Sequence, residues 1–485
     1  MSYRGRMQPP EKRSSFVPRS RALLSLTAAA SALAVAMTIV TAAEQPPPPA
    51  PAAGGQSDGR PTIAPMAPQS SEAPVTFSKD VAPIVYKNCT TCHRPGTTAP
   101  MSLLTYKDAR PYAKAMRDHV LDGLMPPWHA DPKIGAFANA RMLTDAERKT
   151  IVTWANTGSR EGNPADLPPM PTYSDTWTIG TPDLVVSMPD EYEVPAEGTI
   201  EYQWFTAPTT LKEDRWIKAM EVRSTGTTVV HHVVVMEASP QQTRRQPLVS
   251  VAPEFRTPPS RSTPPEGAGG GLLMLTASNT GPHYFREGTS RLLKAGTTIT
   301  FQVHYTTNGK PTKDRTSIGF LFAKEPPKEE IRLSSFANGS FVIPPGAANH
   351  RIDAEMTFVA DAKIWSIAPH THLRGKSFEY ALEYPDGRKE TILSVPRYDF
   401  EWQTEYEYTQ PLRVPKGTKL LATAHYDNSE ANRSNPDPKA EVRWGDQTWE
   451  EMMFSWVTYS AADAPPPVTA PAGPAAAAPP GAAPR

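Results

Sequence analysis

Three textures of hydrophobic and polar residues follow one another along the chain. Residues 22–43 (ALLSLTAAASALAVAMTIVTAA) are an uncharged apolar run, preceded by Arg4, Arg6, Lys12, Arg13, Arg19 and Arg21. A basic flank, an apolar run and a small-residue end form an export signal. The run is also long enough to span a bilayer, so residues 1–43 read as a cleaved signal peptide or as an N-terminal membrane anchor. In either case the remainder is placed outside the cytoplasm, in a periplasmic or similar compartment. Between about 75 and 165 the periodicity is helical. Ser78 is placed to cap a helix, and Thr144-Asp145-Ala146-Glu147 is a capping box that opens another, with Ile151, Val152 and Ala155 on one face and Asn156-Thr157-Gly158 at its end.

From Tyr173 onward the pattern shortens to alternating or β-branched runs at 227–235, 298–304, 318–322, 355–359, 363–367 and 419–425, separated by Gly, Pro and Asn. Strands at this spacing predict β-sandwiches, and the length of the stretch suggests two. Gly162-Asn163-Pro164 with Pro168-Pro169-Met170-Pro171 marks one boundary, and 323–329 (AKEPPKE) marks another. Residues 240–271 read as a long Pro-, Arg- and Gly-rich loop; its glycine run lacks the Lys-Ser/Thr of a phosphate loop. Residues 44–74 are a Pro/Ala-rich linker and 461–485 a tail of the same composition, neither able to bury a core.

The 485 residues leave room for several domains, and 50 Lys+Arg balance 50 Asp+Glu. A neutral chain without basic clusters in its body gives no reason to expect a nucleic-acid partner. The only two cysteines are Cys89 and Cys92, so disulfides cannot staple the sandwiches and packing must hold them.

Those cysteines form Cys89-Thr90-Thr91-Cys92-His93, a C-x-x-C-H motif in which two thiols bond covalently to haem vinyl groups and the histidine ligates iron. A zinc site would need more cysteines than the chain has. The segment resembles class I cytochromes c, whose closing helix packs across the haem. That likeness implies a Met ligand in a Met-Pro context before the last helix, and Met125-Pro126 fits it. Met101, His119 and His129 are the alternatives for the sixth position.

Histidines cluster in the β-rich part. His231 and His232 stand mid-strand in an apolar run, and His304 ends another. His370-Thr371-His372 projects two imidazoles from one face of an extended segment, the minimum geometry of a metal site. Met452 follows Glu450-Glu451, with Met453 as its rival. Imidazole suits copper in both oxidation states and a thioether favours Cu(I). A blue-copper thiolate site is excluded because no cysteine remains. A cupin would need a Glu near Lys376 or Ser377, and a non-haem iron triad an acid inside the H-x-H. Strict alternation sends His231 and His232 to opposite faces, so they share a metal only if the strand is bulged or one uses its nearer ring nitrogen. His283, His350 and His425 read as structural or surface residues.

The H-H pair, HYTTNG, HTHLRG and EEM, with Asp427-Asn428-Ser429 and Trp444-Gly445 nearby, resemble the copper type II ascorbate-dependent monooxygenases, the family of peptidylglycine α-hydroxylating and dopamine β-monooxygenases. The likeness covers roughly residues 231–459. It implies one copper on His231, His232 and His304, and a second, O₂-activating copper on His370, His372 and Met452. It also implies hydroxylation of a C–H bond in a small organic substrate, with ascorbate as the family's reductant. Fusion to the C-x-x-C-H segment leads us to expect that the haem takes that role, fed by a periplasmic electron donor. Ala368 occupies the position where the peptide-hydroxylating enzyme has its carboxylate-reading Arg, which argues against peptidyl-glycine as the substrate. A non-catalytic electron-transfer or copper-binding protein on the same fold is the alternative. The expected architecture is a small all-α cytochrome c domain (75–165) followed by two all-β sandwich (jelly-roll-like) domains (172–325 and 326–460).

Overall fold

The computed structural model describes residues 74–97, 99–173, 176–239, 247–258, 271–277 and 281–462. The expected export segment, the linker up to residue 73, most of the 240–271 loop and the tail from residue 463 lie outside the described residues. Among the described residues no helix is long and apolar enough to cross a membrane.

The chain first forms a five-residue π-helical turn, Phe77–Val81, that runs into α1, Ala82–Asn88. Thr76 opens it: its backbone N–H and Oγ1 both donate to Asp80 Oδ2, at 2.7 and 3.2 Å. Ser78, the expected cap, is instead buried inside the turn. The helices α2, Tyr106–Ala109, and α3, Ala113–Leu121, follow. The last, α4, Asp145–Asn156, starts with the Thr144–Glu147 capping box formed in both directions. Phe77, Val81, Val85, Ile151 and Trp154 share a small core.

Between α3 and α4 the chain leaves the helices altogether. Pro126, Pro127, Pro132 and Gly135 forbid a continuous helix there, and the backbone pairs with strands far along the sequence. Asp131 donates to Ser394 O at 2.8 Å, Ala138 to Glu407 O at 2.7 Å, and Thr409 donates back to Ala136 O at 2.8 Å. Trp128 is buried in the core of the C-terminal sheets, edge-on to Tyr406 and tilted against Phe137.

The rest is strand. A six-stranded sheet holds Leu184–Ser187, Ser317–Phe322, Arg215–Arg223, Thr289–Leu293 and Glu329–Glu330 in that order, with His283–Tyr284 paired to Arg215–Arg223. It shares a core with a four-stranded sheet ordered Gln203–Pro208, Thr298–Tyr305, Val230–Ala238, Gly271–Ala277. Further on, a sheet of Arg332–Ala337, Phe454–Ala461, Ala362–His370 and Tyr406–Val414 shares a second core with Lys389–Val395, Gly375–Glu383, Lys419–Tyr426, His350–Phe358 and Val249–Ser250. Two short strands cross the expected seam. Val249–Ser250 pairs with Thr357 and Phe358, and Glu329–Glu330 runs parallel to Thr289 and Ser290.

The expected architecture is therefore corrected. Among the described residues, 38% are in strands and 13% in helices, and no all-α cytochrome c domain stands apart before two all-β sandwich domains. Among the described residues the helices are short, the longest being α4 with 12 residues. The described residues fall in one compact unit. The physical reason is that the proline-rich stretch after α3 satisfies its backbone on the C-terminal sheets, and the two β cores exchange strands. We expect Trp128→Ala to cost about 3 kcal/mol in urea unfolding, as for other buried large-to-small changes, and to increase proteolytic cutting between residues 122 and 143.

Candidate metal centre

The Val230–Ala238 strand places its histidines by a single extra residue. Against Thr298–Tyr305, His304 pairs with His232 and Tyr305 with Val230, so His231 is skipped. Such a bulge sends two consecutive side chains to the same side of a sheet. Val230 lies in the core before the irregularity, and Val233 and Val235 after it. Both histidines therefore face outward together with His304, and ligand atoms of the three lie within 4.8 Å of one another. The Nδ1 atoms of His231 and His232 are 3.1 Å apart. Nitrogens bound about 2.0 Å from one metal are separated by about 3.3–3.5 Å.

Protonation follows from the partners. Glu401 Oε2 lies 2.9 Å from His231 Nε2 and only accepts, so Nε2 carries a proton, which in a neutral ring leaves Nδ1 as the lone-pair nitrogen. His304 Nδ1 is buried with no partner. Burial, then repulsion from His304 and His231, holds His232 far below the usual imidazole range. Burial and His231 push His304 down to about 3. Tyr202, buried and with an unpartnered hydroxyl, meets the rings of His232 and His304 edge-on at 5.6 and 5.0 Å.

The second cluster is built by the same device. Ala362–His370 slips one residue against Phe454–Ala461 at Trp365. Ala362, Ile364 and Ile367 stay in the core, which turns His370 to the outer face. Its Nδ1 is 2.8 Å from Gln403 Oε1. His372 Nδ1 faces Glu450 O at 3.3 Å, and a carbonyl only accepts, so Nε2 is the lone-pair nitrogen; it is buried without a partner. Burial lowers His370 to about 4 and, with His370 alongside, depresses His372 well below its ordinary value.

A buried carboxylate holds this loop. Glu451 accepts from the backbone N–H groups of His372 and Arg374 at 2.7 Å each and of Met452 at 3.1 Å. Burial pushes it up to about 7 against the pull of those donors and Arg374. Arg374, only 1% exposed, donates from Nε to Asn428 Oδ1 at 2.8 Å and from Nη1 to Trp449 O at 2.9 Å. A side chain at Gly375 would meet Thr371 Oγ1 at 1.8 Å. Met452, tied to the same carboxylate as His372, is half-buried, whereas Met453 is wholly in the core.

Phe400 joins the clusters. Its ring stacks on His231 at 5.5 Å and lies 5.9 Å from the ring of His372. Arg397, three residues earlier, donates to Asp122 O and Gly123 O at the end of α3. A polar cleft runs past Leu124, His129, Arg397, Phe400 and Glu401. Phe400, Glu401, Gln403 and Tyr202 carry no motif, and the sequence offers no cue to them; Arg374 and Glu451 belong to HTHLRG and EEM.

The C-x-x-C-H segment forms one turn after α1: the N–H groups of Cys92 and His93 both donate to Cys89 O, at 3.1 and 2.9 Å. Both thiols are free, and burial raises Cys89 to about 12. His93 Nδ1 faces Met101 O at 3.3 Å, which leaves Nε2 as its lone-pair nitrogen. Met101 packs with Cys89 on the helical core. Met125 lies at the turn after α3, its N–H on His119 O at 3.2 Å. His119 is exposed, and His129 is buried, its value lowered mainly by that burial.

No protein-family model and no curated protein matches the chain. Among solved structures, the major capsid protein P2 from bacteriophage PM2 aligns with a TM-score of 0.24 and 11% identity, over 57% of this chain and 97% of that one. A structure of infectious bursal disease virus Gt strain aligns at 0.17 and 8%, over 60% and 75%. At such TM-scores neither likeness bears on fold or function.

The buried imidazoles set a pH dependence. Folded, they stay neutral, while unfolded they take up protons below 6.5. The unfolded state then binds more protons, so the metal-free chain loses stability as pH falls from 6.5 toward about 4 for His370 and about 3 for His304. The guanidinium midpoint is expected to drop between about pH 7 and about pH 5, and to drop less in a His304→Asn, His370→Asn double variant.

Proposed function

We propose that the protein is an exported, haem- and copper-dependent monooxygenase that hydroxylates a C–H bond of a small organic substrate with O₂. The observation that carries this reading is the pair of buried ring nitrogens with no partner, His304 Nδ1 and His372 Nε2, each set among further imidazoles. An unpaired buried polar atom costs about 1–3 kcal/mol, a cost that a metal ion would remove. The all-imidazole set His231, His232 and His304 would hold one copper, and His370, His372 and Met452 the second. Cys89 and Cys92 would carry a covalent haem with His93 on its iron and Met125 as the proposed sixth ligand. Bound there, the metals supply one-electron transfer and O₂ activation.

The chain's own residues support that chemistry. Glu401 and the Glu450 carbonyl fix ring tautomers, as partners behind metal-binding histidines do. Burial keeps His232, His304, His370 and His372 neutral. The loop carrying Arg397 and Phe400 touches both the end of α3, next to Met125, and the imidazoles, a covalent and hydrogen-bonded connection between the proposed haem ligand and the proposed copper site.

Metal analysis of the full chain should give one iron and two coppers. Met452→Ala is expected to abolish O₂-dependent hydroxylation while leaving the haem spectrum unchanged. Full activity with both His370 and His372 replaced would overturn the proposal, and iron without copper would favour a non-catalytic electron-transfer protein.

A further inference from the structure

A further group of convergent donors uses none of the residues of these clusters. His283 Nδ1 or Nε2 and one carboxylate oxygen each of Glu405 and Glu407 come within 4.8 Å of one another. Two different parts of the chain contribute. His283 sits opposite Met220 at the edge of the six-stranded sheet, its ring edge-on to Phe285 at 4.8 Å. Glu407 pairs with Ser366 on the C-terminal sheet, and Glu405, two residues earlier, projects to the same side.

Charge is poorly balanced at this point. Ser366 Oγ donates to Glu405 Oε1, and Thr458 Oγ1 lies at 3.5 Å from it. Among the described residues no donor reaches the Glu407 carboxylate. The nearest cation, Arg286, spends its guanidinium on Tyr408 O and Thr409 O and lies over the Trp365 ring. Burial and the neighbouring Glu405 raise Glu407 above its usual range. The site is also open to small species. His283 borders two clefts, one passing Glu405 and Gln403, the other passing Glu407 and Trp365.

We propose that His283, Glu405 and Glu407 bind one divalent cation, which joins the six-stranded sheet to the C-terminal sheet. One imidazole with two carboxylates suits Mn²⁺ or Zn²⁺ better than copper(I), and a doubly charged ion neutralises both acids. Open cleft on both sides leaves room for water to complete the coordination. The site is separate from the haem and copper assignment and does not depend on it.

Mn²⁺ is the probe, because the histidine and thioether clusters are poor ligands for a hard cation. Electron paramagnetic resonance titration of the full chain should show one saturable Mn²⁺ per molecule, with Zn²⁺ displacing it, and Mn²⁺ should raise the melting temperature. Glu407→Gln is expected to weaken binding at least tenfold while leaving the metal-free melting temperature unchanged or higher, since it removes a like-charge contact. His232→Ala should leave Mn²⁺ binding intact. Absence of saturable binding in the wild type, or unchanged affinity in Glu407→Gln, overturns the proposal. If Glu407→Gln does not fold, His283→Gln and Glu405→Gln give the same decision.

Discussion

The arrangement rests on one constraint: a β-strand turns successive side chains to opposite faces, yet neighbouring imidazoles must converge. The chain meets it by adding a residue. His231 is skipped in the pairing of its strand, which brings two successive imidazoles together, and the slip at Trp365 decides which face the strand that ends in His370 presents. In each case one face keeps its apolar residues in a core while the histidines emerge together on the other. An outward-facing histidine would normally be wet. Here the two outer faces approach one another, with Phe400 between them, and His232, His304, His370 and His372 become buried and neutral.

The motif around His370 and His372 has a mechanical explanation as well as a chemical one. The loop that presents His372 has few backbone partners of its own, and Glu451 gathers two of its N–H groups, those of His372 and Arg374, together with that of Met452. A buried carboxylate of this kind needs a countercharge nearby, and Arg374 lies within the same shell, itself held by Asn428. Gly375 lets the strand leave at close approach to Thr371. HTHLRG and EEM are thus two halves of one scaffold, which explains why both stretches hold charges in an interior.

Local pattern made part of this legible. The strict alternation of Lys419–Tyr426 and His350–Phe358 appears unchanged as alternating burial. The capping box of α4 also forms as written in Thr144 and Glu147. The histidine pairs were readable because imidazoles are rare in apolar strands. What escaped depends on distant partners. Pro126 and Pro127 exclude a helix but do not say that Ala138 will pair with Glu407, 269 positions on from it. Nor does composition reveal that Gln403 and Glu401 stand behind His370 and His231, since a loop residue acquires that role only through the tertiary fold. The separate all-α domain failed for the same reason: periodicity identifies elements, whereas nonlocal hydrogen bonds decide how they are grouped.

The two short strands that cross between the cores bear on motion. Val249–Ser250 belongs in sequence to the first β region but is stitched into the second, and Glu329–Glu330 is stitched the opposite way. Two stitches in opposite senses prevent the layers from swinging apart about a single hinge, because opening would have to break backbone pairs on both sides. Each histidine cluster is thus carried by a core that is tied to the other at two places, and the spacing between the clusters depends on both ties.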